Sequence, residues 1–236
     1  MPQPSQLSHQ TLLFDADDTL WENNIYFERA IAAFISYLDH RVHTPEEVQE
    51  HLFTCERATI AVHGYGVQSF KRSLIDCFEQ LSDEPITPER HARIVSFTEA
   101  ISAQEIELLP DVIETLQELH SRHRLIMVTK GNFEEQTAKI ERSGLRDLFS
   151  AIEIPPEKNI AAYQVLTAQH GCDPATTWMI GNSPKSDINP ALGAGLNAVF
   201  LPHDLTWALE HEVVDQPRGN TRLLELSRFA ELTLHF

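Results

Sequence analysis

A short apolar run that is followed at once by carboxylates constrains this chain more than any other feature. The segment Thr11–Phe14 has the composition of a buried strand, and Asp15 and Asp17 begin where that strand should end. Carboxylates at a strand end are costly to bury unless a cation or a ligand compensates their charge. Ligands of open α/β sheets bind at the carboxyl edge. The run therefore predicts a site at that edge.

The spacing of Asp15 and Asp17 suits acid–base and nucleophilic chemistry. The two residues can face one pocket, and Thr19 lies close enough in sequence to hydrogen-bond back. Such a pair offers a carboxylate nucleophile, a second carboxyl that gives and takes a proton, and oxygen ligands for a hard cation. From these residues alone, an acidic turn in which Asp17 or Asp18 caps a helix remains an alternative.

The rest of the chain divides into a helical block and an alternating region. From about Ile25 to Ile101 apolar residues recur at helical spacing, and Thr44–Glu47 has the pattern of a capping box with a first-turn proline. From about Leu108 onwards, predicted strands alternate with predicted helices, which indicates parallel βαβ units. We therefore predict an α/β fold with an all-helical insertion after the first strand.

The alternating region contains four further predicted strands and several predicted helices. The strands are Leu125–Val128, Ala151–Ile154, Trp178–Ile180 and Ala198–Leu201, and the helices are Asp111–His120, Phe133–Ser143, Ile160–His170 and one that closes over Ala191–Ala194. The pattern weakens after Pro202, where we predict a helix with uncertain ends within Leu205–Phe236.

Polar residues follow the second of these strands in an arrangement that suits anion binding. Thr129, Lys130 and Gly131 come directly after Val128 and ahead of a predicted helix. A hydroxyl, flexible backbone amides and a helix N-terminus together make an anion cradle. The alternative is that Thr129 or Asn132 only caps the helix and that Gly131 only makes a turn.

Two later strand ends carry residues of the same kind. Lys158 directly precedes a predicted helix, where the helix dipole disfavours a cation. A lysine at this position is more easily explained if it binds an anionic partner. The segment Gly181–Asp187 offers oxygen ligands, including Asn182, that can complete a magnesium site. The alternatives are an exposed surface lysine and a loop in which Asp187 caps a helix.

Charge and cysteine usage limit the partners. The formal net charge of -17 argues against nucleic acid and anionic membranes, and it requires an anionic substrate to be held by a metal ion or a few lysines. The sequence has no apolar span of 18 residues and no signal-peptide pattern at its start, which predicts a cytoplasmic protein. The three scattered cysteines predict neither disulfides nor a thiolate zinc site.

Taken in order, these residues resemble the haloacid dehalogenase superfamily, in its phosphatase branch. Phe14–Leu20 looks like the first motif, D-x-D-x-T, Thr129 and Lys158 match the second and third, and Gly181–Asp187 resembles the fourth. This superfamily places a helical cap between the first and second motifs. The resemblance therefore implies a discontinuous Rossmann-like core, residues 1–22 and 103–236, and a cap domain at residues 23–102.

The resemblance also implies a mechanism. Asp15 would attack phosphorus to form an aspartyl-phosphate, and Asp17 would protonate the leaving oxygen and then deprotonate water. The groups implied for holding the phosphoryl oxygens are Thr19, Thr129, Lys158 and the backbone amides of Lys130 and Gly131. The groups implied for Mg²⁺ are Asp15, the Asp17 carbonyl, Asn182 and Asp187, and the ion would neutralise charge between nucleophile and phosphate.

One position departs from the phosphatase pattern. Phosphatases of this kind usually carry an aspartate where this chain has Asn182, whereas the dehalogenase branch carries Ser and Asn here and works without metal. Asp17 favours phosphoryl chemistry, since a dehalogenase has no use for an acid there. We therefore predict a phosphatase acting on a small phosphorylated metabolite. A metal-independent 2-haloacid dehalogenase, a weakened phosphate-binding module and a phosphomutase remain alternatives, and neither the leaving group nor the oligomeric state can be predicted.

Overall fold

A computed structural model describes residues 6–103 and 105–236. By its internal contacts the chain forms two compact units. One comprises the residues up to Glu22 together with Ile106–Phe236, and the other comprises Asn23–Glu105. The first unit contains the sheet, and the regular elements described in the second unit are helices.

The sheet has six parallel strands in the order β3-β2-β1-β4-β5-β6. The strands are β1 (Thr11–Phe14), β2 (Arg124–Val128), β3 (Ala151–Glu153), β4 (Thr177–Gly181), β5 (Asn197–Phe200) and β6 (Leu223–Glu225). The sequence order reverses on the two sides of β1, which is the arrangement of doubly wound α/β sheets. The predicted parallel α/β fold is therefore confirmed.

The first strand lies in the middle of the sheet because its side chains are apolar on both faces. Leu12, Leu13 and Phe14 have no exposed surface. The register places Phe14 beside Met127 of β2 and Ile180 of β4. Since these three residues stand level, the polar segments that follow β1, β2 and β4 emerge together at the carboxyl edge of the sheet.

The α-helices described in this unit are α6 (Val112–His120), α7 (Phe133–Ser143), α8 (Ile160–His170) and α9 (Asn189–Gly193). Asn132 caps α7 by accepting a hydrogen bond from the Glu135 amide, and Asn159 caps α8 in the same way. A π-helical turn, Pro184–Ile188, leads from β4 into α9. The predicted bounds of α7 and α8 are confirmed, because asparagine and glycine mark their two ends clearly.

The helices described in the second unit are α1 (Asn24–Leu38), α2 (Pro45–His63), α3 (Val67–Leu81), α4 (Pro88–Ser96) and α5 (Glu99–Ala103). The predicted capping box at Thr44 is present, with the Thr44 and Glu47 side chains each bonded to the other's backbone amide. Within the ranges that the structure describes, no helix combines the length and the apolar character needed to cross a bilayer.

The segment after Pro202 differs from its prediction. The structure describes all of Leu205–Phe236 and contains no α-helix there; it has the strand β6 and short 3₁₀ turns. The predicted helix is therefore wrong. β6 is only three residues long and is stabilised by pairing with β5, while Phe229, Leu232 and Phe236 pack on the apolar core of the first unit. These are long-range contacts, which leave no period in the local sequence.

Candidate active site

Two aspartates from the carboxyl edge of the sheet contact the same lysine. Lys158 Nζ lies 2.5 Å from Asp15 Oδ1 and 2.8 Å from Asp187 Oδ1. Asp15 follows β1, Lys158 precedes α8, and Asp187 lies in the π-helical turn after β4. The parallel register therefore assembles a carboxylate–ammonium–carboxylate cluster from three separate parts of the sequence.

This cluster is almost closed to solvent. Asp187 is 0% exposed and Lys158 is 4% exposed, so the alternative of a surface lysine is wrong. Burial alone would lower the pKa of Lys158, but the charges of Asp15 and Asp187 outweigh it and raise that pKa. Burial raises the pKa of Asp187 to about 7, and the neighbouring Asp15 charge adds to the effect. One ammonium thus faces two carboxylates that both need a cation.

Thr19 and Asn182 complete the surroundings of Asp15. The Thr19 hydroxyl lies 2.9 Å from Asp15 Oδ2 and 3.2 Å from Asn182 Oδ1. The Asn182 amide nitrogen donates to the Thr206 hydroxyl at 2.9 Å, which leaves the amide oxygen on the side of Thr19. The Asp15 carboxylate is therefore held at one oxygen by a hydroxyl and at the other by Lys158.

The loop between β2 and α7 supplies a hydroxyl and backbone amides at the same edge. Thr129 is buried, and its Oγ1 lies 3.4 Å from the Gln136 side-chain oxygen. Gly131 has a φ of 146°, and a Cβ at that position would lie 2.7 Å from the Gln136 nitrogen. Asn132 does cap α7, as the alternative has it. The capped N-terminus and the glycine loop remain compatible with an anion cradle.

Asp17 has a separate set of partners. Lys139 Nζ lies 2.6 Å from each of its carboxylate oxygens, and the Trp21 indole and the Gln136 amide donate to it at 2.7 and 2.9 Å. Burial alone would raise the pKa of Asp17, but the Lys139 charge and these hydrogen bonds reverse the effect and lower it. Asp17 is therefore held as the carboxylate, the form that acts as a base.

No helix begins at the acidic run itself. The helix that follows it in sequence, α1, begins at Asn24 with Asn23 as its N-cap, so the alternative of Asp17 or Asp18 as a helix cap is wrong.

Comparison with known families identifies the group to which the chain belongs. The family model described as haloacid dehalogenase-like hydrolase matches residues 9–195, a range that contains the whole cluster around Lys158. The chain belongs to the haloacid dehalogenase-like hydrolase family. The resemblance predicted from the four motifs is thereby confirmed.

Two characterised relatives of this hydrolase are named as phosphatases. N-acylneuraminate-9-phosphatase of Mus musculus is 24% identical over 202 residues, which cover 80% of each chain. Glyceraldehyde 3-phosphate phosphatase of Methanothermobacter thermautotrophicus is 29% identical over 129 residues, which cover 52% of this chain and 57% of the relative.

Solved structures show the same fold. A haloacid dehalogenase-like hydrolase from Xanthomonas campestris is 29% identical, with a TM-score of 0.82 over 98% of this chain and 91% of its own. A 2-haloacid dehalogenase from Pseudomonas syringae pv. tomato is 19% identical, with a TM-score of 0.58 over 95% and 96%. Since a dehalogenase shares this fold, the fold alone does not choose between the two chemistries.

The donor set of the hydrolase fits a magnesium ion. Asp15 and Asp187 supply carboxylates and Asn182 supplies an amide oxygen, which are the hard oxygen ligands that Mg²⁺ prefers. With one ammonium between two buried carboxylates, the cluster keeps one negative charge when both are ionised. A divalent cation would compensate that charge, because buried charges are stable only when they are paired or bound to a metal.

Position 181 must be a glycine for this cluster to form, because a side chain there would collide with Asp187. A Cβ there would lie 2.8 Å from the Asp187 Cβ and closer still to its carboxylate. We expect Gly181→Ala to displace Asp187 and to weaken Mg²⁺ binding or Mg²⁺-dependent activity by at least ~10-fold. Calorimetric titration with Mg²⁺ measures the effect.

The control for this variant is Gly144→Ala, at the end of α7. A Cβ at Gly144 meets nothing within 4 Å, but its φ of 70° strains any other residue. This control should lose about 1 kcal/mol of folding free energy and keep its Mg²⁺ affinity. Unchanged Mg²⁺ affinity in Gly181→Ala would show that Asp187 does not serve the metal.

The Lys130 side chain is largely buried and lies in a network of hydrogen bonds. Its Nζ lies 2.7 Å from Glu210 Oε1, 2.8 Å from the Ser186 hydroxyl and 3.2 Å from Glu157 Oε1. Glu210 also accepts hydrogen bonds from Ser183 and Ser186. Burial alone would raise the pKa of Glu210, but Lys130 and the two hydroxyls lower it. This network connects the loop after β2 to the loop after β4, and sequence reasoning did not identify Glu210 as part of it.

A second cluster of titratable groups lies near the first motif. Asp18, Glu22 and His203 carry ligand atoms within 4.8 Å of one another, and His203 Nε2 is 3.4 Å from Glu22 Oε2. The Leu205 amide donates to His203 Nδ1 at 3.3 Å, so a neutral ring keeps its proton on Nε2. The neutral histidine thus turns its protonated Nε2 towards Glu22 at an ion-pair distance, and neither ring nitrogen offers a free lone pair to a metal.

Proposed function

We propose that this hydrolase is a magnesium-dependent phosphatase that hydrolyses a small phosphate monoester through an aspartyl-phosphate. The observation that carries the proposal is the setting of Asp15. Its carboxylate is fixed by Thr19 and Lys158 at the carboxyl edge of the sheet, and a second carboxylate, Asp17, lies two residues further on. A fixed nucleophile with a separate acid–base group is what two-step phosphoryl transfer requires.

In the first step, an Asp15 oxygen bonds to phosphorus while the bond from phosphorus to the leaving oxygen breaks. Protonated Asp17 gives its proton to that leaving oxygen, which departs as an alcohol. In the second step, ionised Asp17 takes a proton from water, the resulting hydroxide bonds to phosphorus, and the bond to Asp15 breaks. Inorganic phosphate leaves, and Asp17 is protonated again for the next cycle.

The remaining proposed residues stabilise the transferred group. Thr19, Thr129, Lys158 and the backbone amides of Lys130 and Gly131 are proposed to bind the phosphoryl oxygens, and Asp15, the Asp17 carbonyl, Asn182 and Asp187 are proposed to hold Mg²⁺. The ion supplies charge neutralisation: two unit charges about 4 Å apart repel by roughly 4 kcal/mol at an effective dielectric constant near 20.

The proposed substrate is a small phosphorylated metabolite. Two relatives are named for the phosphates of an acylneuraminate and of glyceraldehyde, which supports a small-molecule substrate without choosing one. The net charge of -17 opposes nucleic acid as a partner. We assign the chemistry to residues 1–22 and 103–236, and substrate selection to the cap, residues 23–102.

Hydrolysis of p-nitrophenyl phosphate with and without Mg²⁺ tests the proposal. We expect chelation with EDTA to lower kcat by at least roughly 100-fold, because the metal contributes several kcal/mol of charge stabilisation. Added Mg²⁺ should restore the rate.

Other outcomes would favour the alternatives. Halide release from 2-chloropropionate that EDTA leaves unchanged would indicate a dehalogenase. Saturable Mg²⁺ and phosphate binding without turnover of any ester in a metabolite panel would indicate a binding module. Transfer of the phosphoryl group to a sugar in place of water would indicate a phosphomutase.

A further inference from the structure

The helix α7 carries two side chains that both contact Asp17. Lys139 contacts both carboxylate oxygens, and Gln136 donates to Oδ2. The two residues are three apart and therefore lie on one face of the helix. This face begins four residues beyond Asn132, directly after the loop that holds Thr129 and Gly131.

Gln136 links Asp17 to that loop. Its amide nitrogen bonds to Asp17, its amide oxygen faces the Thr129 hydroxyl at 3.4 Å, and its side chain occupies the space that a Cβ at Gly131 would need. One buried side chain therefore spans the proposed acid–base group and the proposed phosphate loop.

The contacts fill the acceptor positions of Asp17. Trp21 and Lys139 donate to Oδ1, and Gln136 and Lys139 donate to Oδ2, so all four lone-pair positions are used. A proton can reach Asp17 only when one donor withdraws. Lys139 contacts both oxygens, so its withdrawal from one of them frees an acceptor position while the ion pair persists.

Fold stability is a poor explanation for this ion pair. The Lys139 side chain is 12% exposed, and the cost of desolvating such a lysine offsets most of the attraction to its partner. Apolar side chains in place of both partners would cost the fold little, whereas removing Lys139 alone would leave Asp17 without its cation. What the ion pair provides is a single orientation of the carboxylate, because Trp21, Gln136 and Lys139 approach it together.

We propose that Lys139, assisted by Gln136, is a positioning residue that fixes the Asp17 carboxylate for both proton transfers of the reaction. The proposal rests on the proposed phosphatase function and extends it to a residue of α7 outside the four motifs. Lys139 contacts both carboxylate oxygens of Asp17, whereas the ammonium that contacts Asp15 is that of Lys158, so Lys139 acts through Asp17.

Steady-state kinetics on phenyl phosphate, whose leaving group needs a proton, provide the first test. We expect Lys139→Met to lower kcat roughly 10- to 100-fold, part of the usual contribution of general acid–base catalysis, and to leave KM within about threefold. Lys139→Arg should recover part of the loss. Arg142→Met removes an exposed cation from the same helix and should behave as the wild type.

A double-mutant cycle then separates positioning from a structural role. The cycle uses p-nitrophenyl phosphate, since its leaving group departs without a proton donor and Asp17→Asn keeps a measurable rate of Asp15 phosphorylation. If Lys139 acts through Asp17, adding Lys139→Met to Asp17→Asn causes no further loss. An equal loss in both backgrounds overturns the proposal.

Crystal structures of wild type and Lys139→Met give a readout that does not depend on turnover. We expect the Asp17 carboxylate to leave the Trp21 indole or to adopt several rotamers in the variant. A carboxylate that stays in place overturns the proposal whatever the kinetics show. A third outcome separates the two proposals. If the wild-type protein has no phosphatase activity but Asp17 is displaced in the variant, the proposed function is refuted, while Lys139 is still the residue that orients Asp17.

Discussion

Asp15→Asn should abolish phosphate release and the covalent intermediate together. Asparagine keeps the shape of the side chain and its contact with Thr19, but its amide does not attack phosphorus. We expect kcat to fall by at least ~10⁴-fold, the scale on which removing a nucleophile acts in enzymes that form covalent intermediates. The fold should persist, since Lys158 keeps Asp187 as a buried partner.

The measurement is a rapid-quench experiment with a radiolabelled phosphate ester. Wild-type protein should show label that remains on the protein in acid and is released by hydroxylamine, as an acyl phosphate is, and Asp15→Asn should show none. Asp147→Asn, which changes the charge equally at an exposed position, should label and turn over normally. Labelling that survives in Asp15→Asn would place the nucleophile elsewhere.

Much of the fold was predictable because its signals are local. Asn132 and Gly144 mark the two ends of α7, and Thr44 starts α2 with a capping box; each depends on neighbours within four residues. The meeting of Asp15 with Asp187 was also predictable, for a different reason. The carboxyl ends of parallel strands lie at the same edge of the sheet. Residues that directly follow such strands are therefore expected to be close in space, even when they are far apart in sequence.

The parts that sequence reasoning missed depend on long-range contacts. Glu210 meets Lys130 across 80 residues, and Lys139 meets Asp17 across 122. Nothing near Glu210 or Lys139 in the sequence distinguishes these residues from solvated charges. Gln136 and Lys139 are three residues apart and share one face of the predicted helix, but this spacing becomes informative only once the structure places Asp17 beside that face.

Electrostatics explains how this site can have Asn182 where phosphatases of this kind usually have an aspartate. An aspartate there would put a third carboxylate beside the two that Lys158 already serves. The neutral amide, held through Thr206, keeps an oxygen next to Thr19 without adding to that repulsion. In the proposed metal site, the attraction for Mg²⁺ would then depend chiefly on Asp15 and Asp187, both of which contact the same ammonium.

Lys158→Met should have the second large effect. Because Lys158 is the cation that contacts both buried carboxylates, its loss should impair both folding and catalysis. Methionine fills the space of the lysine stem but leaves two buried carboxylates without a cation. Removing one partner of a buried ion pair costs about 3–5 kcal/mol, because the remaining charge is uncompensated. Urea denaturation without metal ions should show a loss of this size. Protonation of Asp187, whose pKa is already raised to about 7, limits the loss at acidic pH.

A charge-matched double variant tells the two effects apart. Adding Asp187→Asn to Lys158→Met removes the second carboxylate, so that most of the lost stability should return. Activity should not return, because the proposed phosphate site still lacks its ammonium and the proposed Mg²⁺ site lacks a ligand.

The control variant is Lys185→Met, which removes an exposed hydrogen bond to the Leu209 carbonyl. It should cost no more than about 1 kcal/mol of folding free energy and keep full activity. If Lys158→Met were as stable as the wild type in the absence of metal, the buried carboxylates would have to share a proton, and the proposed charge of the site would be wrong.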